Sequence, residues 1–555
     1  MEAHDAKLGR GMALHQQGRL AAAEKLYREV LQQNPKRFDA LYLLGIAALA
    51  SNRPRRAVDL IDRSIRQNAA FPPAWCNRGL ALAQLGRRAE ALGSFDKAIS
   101  LDPDLAEAWY NRGTALKDMA QPEDAIASFD RALAIRPGDA EAHNNRGLVL
   151  TGLRRHDEAL ADLDTAVALN PGLAQAHCNR GNALTGLKRP REALESFDRA
   201  LALRPDLAEA WCNRGDALHE LARPEDAQAS FGEALALKPD LAEAHFGFSL
   251  TLLAMGFYEE GFRHHEWRKK RSRPDGDRSF PQPLWRGSQP IQGRTLFIHP
   301  ELFLGDMINF CRYAVQAEAR GATVVLAAQP SLHRLLTSLS PTIAIIGEAD
   351  KPARFDFHCP LMSLPMVFGT TLGTVPAAVP YLRADADRVA RWRDRLGRHG
   401  FKVGICWQGS AASVEMDRTF PVARFLEISR IPGVRLISLQ TGGGSEQLTD
   451  LPVGMTVEAY DEAPGSMLRP FEDSAAIMAN LDLIITADTA IAHLAGALGR
   501  PTWVALKQVP DWRWGLNGDA TPWYPTARLF RQRVRNDWTH VFLEIRAALG
   551  ETVGS

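Results

Sequence analysis

The sequence predicts a multidomain protein in which an all-α superhelix of helix pairs precedes an α/β region built from two Rossmann-like domains. In the first half, glycine recurs every 34 residues, at Gly11, Gly45, Gly79, Gly113, Gly147, Gly181 and Gly215. A fixed period of this length indicates a stack of similar helical units. From Arg294 onward, short apolar runs alternate with helical stretches, which is typical of parallel α/β sheets. A chain of 555 residues with an apolar fraction of 46% is long enough for several such domains.

The overall composition argues against several classes of function. The formal net charge is +1, so the charge balance does not favour nucleic acid or an anionic membrane as a partner. The six cysteines form neither a CxxC pair nor a Cys/His ligand pattern, which predicts buried thiols rather than disulfides or a metal site. No apolar run has the length of a membrane span, and the first residues lack the apolar core of a signal peptide. We therefore expect a soluble, cytoplasmic protein without a transmembrane segment.

Small residues and a proline stand at fixed positions within each repeat unit. In one unit, Gly79 and Ala91 let two helices approach closely, and Pro103 ends the second helix. The set in that unit is Trp75, Gly79, Ala91, Phe95, Ala98 and Pro103. This pattern resembles the tetratricopeptide repeat family over about residues 4–241, as seven repeats followed by a degenerate capping unit, so we expect a solenoid over 4–271. The resemblance implies a concave groove that binds a protein or a peptide.

Five successive units carry the tripeptide Asn-Arg-Gly. Its asparagines are Asn77, Asn111, Asn145, Asn179 and Asn213. Amides spaced one repeat apart form a ladder that can clamp the backbone of an extended peptide in the groove. The alternative is that these asparagines and arginines bond between neighbouring repeats and solvate the surface. The sequence leaves both interpretations open.

A basic segment, 267–278, lies between the two halves. Its charge, proline and glycine predict a capping helix that gives way to a linker over 272–290. A cluster of basic residues can also contact nucleic acid, but a solvated segment is the better explanation of so short a run. We therefore expect no nucleic-acid partner.

The second half is expected to form two sheets in sequence. In a first domain, over 291–396, strands are predicted at Thr295–His299, Thr323–Ala328, Thr342–Gly347 and Phe355–Pro360. In a second domain, over 397–555, they are predicted at Lys402–Trp407, Val434–Gln440, Met455–Tyr460, Leu483–Thr486, Thr502–Leu506 and Ala527–Phe530. A helix over Asp385–Leu396 bridges the domains, and a helix over Trp538–Leu549 closes the second one. Ligands of such sheets bind beyond the carboxyl ends of the strands, which predicts a cleft between the domains.

Three loops that follow predicted strands carry polar groups to this cleft. In the first, Asp306 stands at a helix N-terminus, where a carboxylate either caps the helix or takes a proton from an acceptor hydroxyl. The second, 406–410, has glycine and serine after a strand, which suits contact with phosphate. In the third, Asp488 and Thr489 begin a helix that carries His493 one turn later, and the free N–H groups of such a helix attract phosphate. An N-cap and a half-buried histidine are the structural alternative for this third loop.

The ordered set of these motifs resembles glycosyltransferase family 9, the heptosyltransferases, and in particular its bacterial branch fused behind tetratricopeptide repeats. The resemblance covers about residues 285–535. It rests on the segments 304–306, 403–409, 438–440, 488–497, 510–514, 522–525 and 528–532. It implies the GT-B fold, with an acceptor on the first domain and a nucleotide sugar on the second.

The same resemblance implies roles for individual residues. Asp306 matches the general base of family 9, and Asp488, Thr489 and His493 match its donor-phosphate loop. The donor side is completed by Trp407, Gln408, Gly409 and Ala490, and the acceptor side by Glu301, Asn309 and Arg312. Trp407 and Trp512 either stack on the nucleobase or belong to the core.

The implied reaction is a direct displacement with inversion at the sugar's anomeric carbon. Asp306 deprotonates the acceptor hydroxyl, while the helix N-terminus after Asp488 and the side chain of His493 stabilise the leaving diphosphate. No Asp-x-Asp pair stands at a predicted strand end, so neither a metal site nor a cofactor is expected besides the nucleotide sugar as co-substrate.

This sequence departs from the fused branch at two places. Leu302 and Phe303 replace a polar amide and a flexible glycine before Asp306, which narrows the acceptor loop, and Ala490 replaces a glycine of the heptosyltransferases. Three functions follow as hypotheses: a transferase whose repeats recruit a protein acceptor, a transferase acting on a glycan or lipid-linked sugar, and a peptide-binding scaffold with a catalytically decayed transferase domain. The four polar residues Asp306, Asp488, Thr489 and His493 favour an enzyme.

Overall fold

The computed structural model describes residues 2–271, 278–301, 303–409, 417–460 and 470–554. The chain divides into two compact units, one ending at Ala217 and the other beginning at Leu218. The second unit therefore starts inside the region predicted as solenoid. The reason is that Tyr258 and Phe262 belong to the same apolar core as the strand residues Leu296 and Ile298.

The first unit is all-α, and successive helices pair within each repeat. Its helices are α1 (Glu2–Gln16), α2 (Leu20–Gln33), α3 (Phe38–Ala50), α4 (Pro54–Gln67), α5 (Pro72–Gln84), α6 (Arg88–Leu101), α7 (Ala106–Asp118), α8 (Pro122–Ile135), α9 (Ala140–Gly152), α10 (His156–Leu169), α11 (Ala174–Gly186), α12 (Pro190–Leu203) and the start of α13 (Ala208–Glu220). Prolines at the first position of α4, α8 and α12 fit because that position has no helical partner for an N–H.

The periodic glycines are explained by the rings that lie against them. A Cβ atom added at Gly79 would lie 2.4 Å from Cε1 of Phe95, and one at Gly113 would lie 2.8 Å from Cε1 of Phe129. The same pairing joins Gly181 to Phe197. Each glycine of a first helix therefore leaves room for the bulky residue that stands 16 positions later, on the second helix of its own repeat.

Gly79→Ala is expected to lower the local opening free energy of the α5–α6 pair by about 1–3 kcal/mol, because the new methyl group overlaps Phe95. The matched control is Gly93→Ala on α6, where nothing lies within 4 Å of the added Cβ. That change should raise the same quantity by up to about 1 kcal/mol, because alanine favours a helix over glycine. Hydrogen exchange of the α5 and α6 peptides measures both. Equal effects of the two substitutions would contradict this packing.

The second unit begins with helices and continues with two parallel sheets. Its first helices after α13 are α14 (Pro224–Leu237), α15 (Ala242–Ala254) and α16 (Tyr258–His265). The strands are β1 (Thr295–His299), β2 (Thr323–Ala328), β3 (Ala344–Gly347), β4 (Phe357–Pro360), β5 (Phe401–Cys406), β6 (Val434–Ser438), β7 (Val457–Glu458), β8 (Leu483–Ala487), β9 (Thr502–Leu506) and β10 (Ala527–Arg531). The later helices are α17 (Leu304–Phe310), α18 (Arg312–Ala319), α19 (His333–Leu336), α20 (Leu364–Val367), α21 (Ala386–Leu396), α22 (Leu426–Ser429), α23 (Pro470–Met478), α24 (Ala490–Ala497) and α25 (Trp538–Gly554).

Both sheets are parallel, and each reverses its strand order at one point. The first sheet has the order β3-β2-β1-β4, and the second has the order β10-β9-β8-β5-β6-β7. The second order is that of a doubly wound Rossmann sheet. Its reversal lies between β5 and β8, which pair in register from Val403 and Leu483. Ligands of such sheets bind outside the carboxyl ends of the strands at the reversal, which is where the second and third predicted loops begin.

The segment between the helices and the sheets differs from the predicted linker. Trp285 is buried, and its backbone N–H donates to the carbonyl of His358, so that this part of 272–290 pairs with β4. Arg268, predicted to lie in a solvated segment, is 2% exposed. A short 3₁₀ helix, Glu266–Lys270, holds it there. Residues 272–277 lie outside the described part of the chain.

Candidate functional site

A cluster of charged side chains lies where loops from both sheets meet. Asp306 is in the first turn of α17, after β1, and Asp488 follows β8 directly. Arg418 follows β5, and Asp511 and Arg513 follow β9. We call these five residues the strand-end cluster. It joins the first and third loops that the sequence predicts to face one cleft.

Asp306 is bonded to a loop of the second sheet and does not cap its helix. The N-cap position of α17 is Phe303, and that helix has no side-chain cap. Oδ1 of Asp306 accepts a hydrogen bond from Nη2 of Arg513 at 2.5 Å. The Asp306 side chain keeps 20% of its surface exposed, whereas that of Arg513 keeps 5%. The cap interpretation of Asp306 is therefore wrong, and the carboxylate remains accessible.

Arg418 is held much more loosely than Arg513. Its Nη1 lies 3.4 Å from Oδ2 of Asp488, and its Nη2 lies 3.7 Å from Oδ2 of Asp511. Among the described residues, its buried Nε atom has no hydrogen-bond partner, and neither has Oδ2 of Asp488. Oδ1 of Asp488 accepts a hydrogen bond from Nε1 of Trp514 at 2.8 Å. Arg418 therefore has donors available for a ligand, and Asp488 has one oxygen fixed.

Burial and ion pairing shift the pKa values of the cluster's three aspartates in different directions. Burial raises the pKa of Asp306 to about 6, against the opposing charge of Arg513. Burial likewise raises the pKa of Asp488, with Arg418 opposing. Burial also disfavours the charge on Asp511, but the adjacent Arg513 and Arg418 outweigh it and hold the pKa of Asp511 well below its usual range. A carboxylate with a pKa near neutrality is suited to accept a proton.

The third loop begins a helix beside the cluster. Thr489 is the N-cap of α24, and its side chain accepts the N–H of Ile491. Nδ1 of His493 lies 3.0 Å from the Tyr524 hydroxyl, and its ring stacks on Trp514. Burial lowers the pKa of His493 to about 3, so the ring is neutral at neutral pH. A neutral ring offers a phosphate no positive charge. With Nδ1 next to Tyr524, only Nε2 of His493 is left for a hydrogen bond to a ligand.

The first and third loops are in direct contact. A Cβ added at Gly305 would lie 3.0 Å from Cδ2 of His493 and 3.8 Å from Cα of Ala490. Glycine is required here because α17 and α24 approach this closely. Phe303, next to this contact, is 53% exposed, while Leu302 lies outside the described residues.

The second loop presents fewer groups to a ligand than the sequence predicts. Trp407 is fully buried in the core of the second sheet, and its Nε1 donates to the carbonyl of Gly444. It therefore cannot stack on a nucleobase. The backbone of Gln408 is tied to the side chain of Gln440 at 3.1 Å and 2.8 Å. Gly409 is partly exposed, and Ser410 lies outside the described residues. Trp512 is also a core residue, packed against Tyr258 and Phe262.

Glu301 and Arg312, both predicted on the acceptor side, are bonded to other parts of the protein. Glu301 is 5% exposed and binds Arg268 through both carboxylate oxygens, at 2.8 Å and 2.9 Å. Arg312 donates to the carbonyls of Pro376 and Trp523 and to the Tyr381 hydroxyl. Glu301 is thus neutralised by Arg268, and the donors of Arg312 are bonded to neutral groups of the protein, so both side chains are engaged internally.

Asn309 also has no access to an acceptor. Its side chain is fully buried, and neither of its polar atoms has a partner among the described residues. Its position three residues after Asp306 places both on one side of α17.

Sequence patterns assign no role to Arg418, Asp511, Arg513 or Arg268. Asp511 and Arg513 belong to the motif Pro510–Trp514, which by itself indicates no chemistry. The alternation of charge and tryptophan in that motif is a usable signal, because a buried aromatic pair can hold a guanidinium group between its rings. Arg418 follows a glycine- and serine-containing loop without any local pattern.

The asparagine ladder is bonded between neighbouring repeats. Each side-chain amide donates to the preceding repeat: Asn77 to the Tyr42 hydroxyl, Asn111 to Sγ of Cys76, Asn145 to the Tyr110 hydroxyl, Asn179 to Oδ1 of Asn144 and Asn213 to Oδ1 of Asn182. Asn179 is 2% exposed, which excludes contact with a peptide. The arginines of the tripeptide also bond between repeats. Arg112, for example, donates to Asp96 of the preceding repeat and to Ser128 of its own repeat. The alternative of bonds between repeats thus explains the motif.

The described residues present neither a metal-binding group nor a membrane-spanning helix. Over the ranges that the structure describes, no group of three or more His, Cys, Asp or Glu side chains is placed to hold a metal ion. Within the same ranges, no helix is both long enough and apolar enough to cross a membrane.

Family models match the first half of the chain, and one curated relative matches about half of its length. Models described as tetratricopeptide repeat match residues 14–75, 110–174, 174–207 and 208–241, and one described as TPR repeat matches 79–119. Protein FlbA of Caulobacter vibrioides is 29% identical over 332 residues, which are 56% of this chain and 55% of that protein. The chain thus spans about half the length of this relative. The tetratricopeptide repeats are confirmed across 14–241, and repeats of this kind indicate a scaffold for protein or peptide binding.

Several solved structures are similar to parts of the chain. A chain of the APC/C hetero-tetramer Cut9–Hcn1 is 20% identical, has a TM-score of 0.39 and covers 44% of this chain and 48% of its own. YrrB, a TPR protein with an unusual peptide-binding site, is 24% identical, with a TM-score of 0.30 and coverages of 33% and 95%. PilF of Pseudomonas aeruginosa is 19% identical, with a TM-score of 0.36 and coverages of 38% and 95%. Each of the three covers less than half of this chain.

Proposed function

We propose that the protein is an inverting glycosyltransferase of the GT-B type, which moves a sugar from a nucleotide-sugar donor to a hydroxyl acceptor. The observation that carries this proposal is the strand-end cluster. It brings the carboxylate of Asp306, from the first sheet, to the guanidinium groups of Arg418 and Arg513, from the second. Direct displacement requires a base for the attacking hydroxyl and positive charge for the leaving diphosphate. The cluster offers both groups at one partly buried place.

Asp306 acts as the base. Its Oδ1 is occupied by Arg513, and Oδ2 has no hydrogen-bond partner among the described residues. In the reaction, Oδ2 takes the proton of the acceptor hydroxyl while the hydroxyl oxygen bonds to the anomeric carbon. The bond from that carbon to the diphosphate breaks, and the diphosphate leaves with the electron pair. A pKa of about 6 keeps Asp306 ionised, and still basic, at neutral pH.

Arg418 and the start of α24 receive the diphosphate. Arg418 is the cluster's loosely paired cation, at 3.4 Å and 3.7 Å from its two carboxylates. A diphosphate offers it shorter, charge-assisted hydrogen bonds in exchange. The first N–H groups of α24, beginning at Ala490, add the positive end of a helix. Arginine and helix together supply the charge that a divalent cation supplies in other transferases, so the reaction is proposed to be metal-independent.

The repeats recruit a protein in this proposal, either the acceptor itself or a partner. The confirmed tetratricopeptide repeats support a protein-binding first half. A glycan or a lipid-linked sugar is the other acceptor class compatible with a base such as Asp306. Transfer to a purified protein that binds the repeats, detected by an added sugar mass, distinguishes the two.

Calorimetric titration of UDP, GDP, ADP and dTDP tests the donor site. Wild type is expected to bind one of them with micromolar affinity, and Arg418→Gln should weaken that binding roughly 10- to 100-fold, because hydrogen bonds to a charged group are lost. The matched control is Arg435→Gln. Arg435 is a half-buried arginine of the second sheet that pairs with Glu458 away from the cluster. Its loss should leave nucleotide binding unchanged.

Asp488→Asn tests how the negative charge next to Arg418 affects nucleotide binding. The substitution keeps an oxygen for the Trp514 N–H and removes one negative charge next to Arg418. Nucleotide affinity should therefore be kept or increased. Absence of binding to all four nucleotides by folded wild type would contradict the proposal and favour a peptide-binding scaffold with a decayed transferase domain.

A further inference from the structure

The guanidinium group of Arg513 is fixed on several sides. Its Nη1 donates to Oδ1 of Asp511 at 2.8 Å. Its Cζ lies 4.4 Å from the ring centre of Trp512 and 4.8 Å from that of Phe310. With 4% of the residue exposed, this arginine has little freedom to change rotamer. Both rings flank the guanidinium group, and its Nε has no hydrogen-bond partner among the described residues.

The backbone of Arg513 is fixed as well. Asp511 is the N-cap of a 3₁₀ turn, Trp512–Trp514, and its side chain accepts the N–H of Arg513. The hydroxyl of Thr521 donates to the carbonyl of Arg513 at 2.7 Å. The segment is thus rigid from its main chain to the tip of its side chain.

This rigid group reaches the first sheet's helix α17 at two points. Nη2 donates to Oδ1 of Asp306 at 2.5 Å, and Phe310, one turn after Asp306, lies against the guanidinium plane. Arg513 itself belongs to the second sheet, in the loop after β9. The orientation of Asp306 is therefore determined by a residue 207 positions away.

We propose that Arg513 is the positioning residue of the transfer reaction, because it occupies Oδ1 of Asp306 and leaves Oδ2 for the acceptor hydroxyl. This inference rests on the proposed function. It gives the two arginines of the cluster different tasks. Arg513 orients the base, and Arg418, with its long contacts, binds the diphosphate. Because Arg513 belongs to the donor-side sheet, the base is oriented only when that sheet is packed against the acceptor side.

Arg513 also keeps the base ionised. Its charge lowers the pKa of Asp306, which burial alone would raise further. The neighbouring charges act in the same network: Asp511 and Glu301 raise this pKa, and Arg418 lowers it. Removal of Arg513 therefore moves the pKa of Asp306 upward, and a larger share of the enzyme carries a protonated, inactive base at neutral pH.

The test compares Arg513→Gln and Arg513→Lys with wild type. The reaction followed is release of nucleoside diphosphate from UDP-, GDP-, ADP- and dTDP-sugars with water as the hydroxyl acceptor, from about pH 5 to 9. For Arg513→Gln we expect a rate loss on the order of 100-fold at neutral pH, because the base is misplaced. The acid limb of its pH profile should move to higher pH, and calorimetric affinity for the nucleoside diphosphate should be unchanged. Arg513→Lys should recover part of the rate, and it serves as the second variant if Arg513→Gln does not fold.

Other outcomes separate this inference from the proposed function. If Arg513→Gln weakens nucleotide binding as much as Arg418→Gln does, Arg513 contacts the diphosphate and the inference is wrong. If the rate falls with an unmoved acid limb, the role of Arg513 is only structural. If both Arg513 variants keep the wild-type rate and profile, the inference is wrong while the proposed function stands. If wild type neither binds nor cleaves any of these nucleotides, both fail together.

Discussion

Asp306→Asn is expected to reduce the release of nucleoside diphosphate from the nucleotide sugar by roughly 100- to 10,000-fold, the range that a positioned general base contributes. An amide keeps the shape of the side chain and accepts the Arg513 hydrogen bond, but it cannot take the proton of the acceptor hydroxyl. The affinity for the nucleoside diphosphate should not fall, because Arg418 and the start of α24 are untouched. The measurement is a rate of diphosphate release beside a calorimetric titration of the same protein.

The pH dependence of the wild-type rate follows from the same residue. The base must be ionised, and burial raises the pKa of Asp306 to about 6. Below that pH the carboxyl is protonated, so the rate should rise as the pH increases through about 6 and level off above it. In Asp306→Asn, the residual rate should not show this rise between acid and neutral pH.

A matched control separates catalysis from helix capping. Asp385 is an aspartate that does cap a helix, since its side chain accepts the N–H of Arg388 at the start of α21. Asp385→Asn should leave the rate and its pH profile unchanged. If Asp306→Asn loses no more activity than Asp385→Asn, Asp306 is not the base.

Glu301→Ala is expected to lower the free energy of unfolding of the second unit by about 1.5–3 kcal/mol, because buried Arg268 loses its hydrogen bonds to Glu301 and keeps only one ion pair, with Glu266 at 2.8 Å. Arg268 is 2% exposed and would lose two hydrogen bonds, at 2.8 Å and 2.9 Å. The backbone N–H of Met362 would lose its acceptor as well. Urea unfolding followed by tryptophan fluorescence gives the difference from wild type.

Two further variants give reference values for this loss in the free energy of unfolding. Glu301→Gln keeps an acceptor for Arg268 and should cost less than the alanine variant. Glu259→Ala removes an ion pair with Arg263 whose side chains are 71% and 64% exposed, and it should cost no more than about 1 kcal/mol. A loss for Glu301→Ala as small as that for Glu259→Ala would show that Arg268 finds water or another partner.

Elements with strong local patterns were predictable from the sequence. The strands β1, β2 and β9 have the predicted bounds, because each is a short apolar run between turn residues. The strand predicted at Met455–Tyr460 shortens to Val457–Glu458, an edge strand that pairs with Leu436 and Ile437 of β6. The glycine period was predictable because the partner of each glycine stands at a constant distance along the chain.

The charged residues of the second half show where local patterns fail. Glu301 and Arg312 stand in loops at strand ends, which suggested ligand contacts. Their partners come from remote segments: Arg268 lies 33 residues from Glu301, and Trp523 lies 211 residues from Arg312. A sequence pattern does not report such pairings, and the same holds for the contact between Asp306 and Arg513.

The asparagine ladder illustrates an ambiguity that only side-chain partners resolve. Identical amides at a spacing of 34 residues fit a peptide clamp and a bond between repeats equally well. The deciding residues are those 35 positions earlier, such as Tyr42 and Tyr110, whose hydroxyl groups accept the amide N–H. Where such an acceptor is present, the amide stabilises the stack of repeats.

A crystal structure with the nucleoside diphosphate that binds in calorimetry would show whether the strand-end cluster is the donor site. We expect the diphosphate within hydrogen-bond distance of the Arg418 guanidinium and of the first N–H groups of α24, with the contact between Asp306 and Arg513 intact. A nucleotide bound away from Arg418 and α24, at a position that leaves Asp306 remote from the sugar, would contradict it.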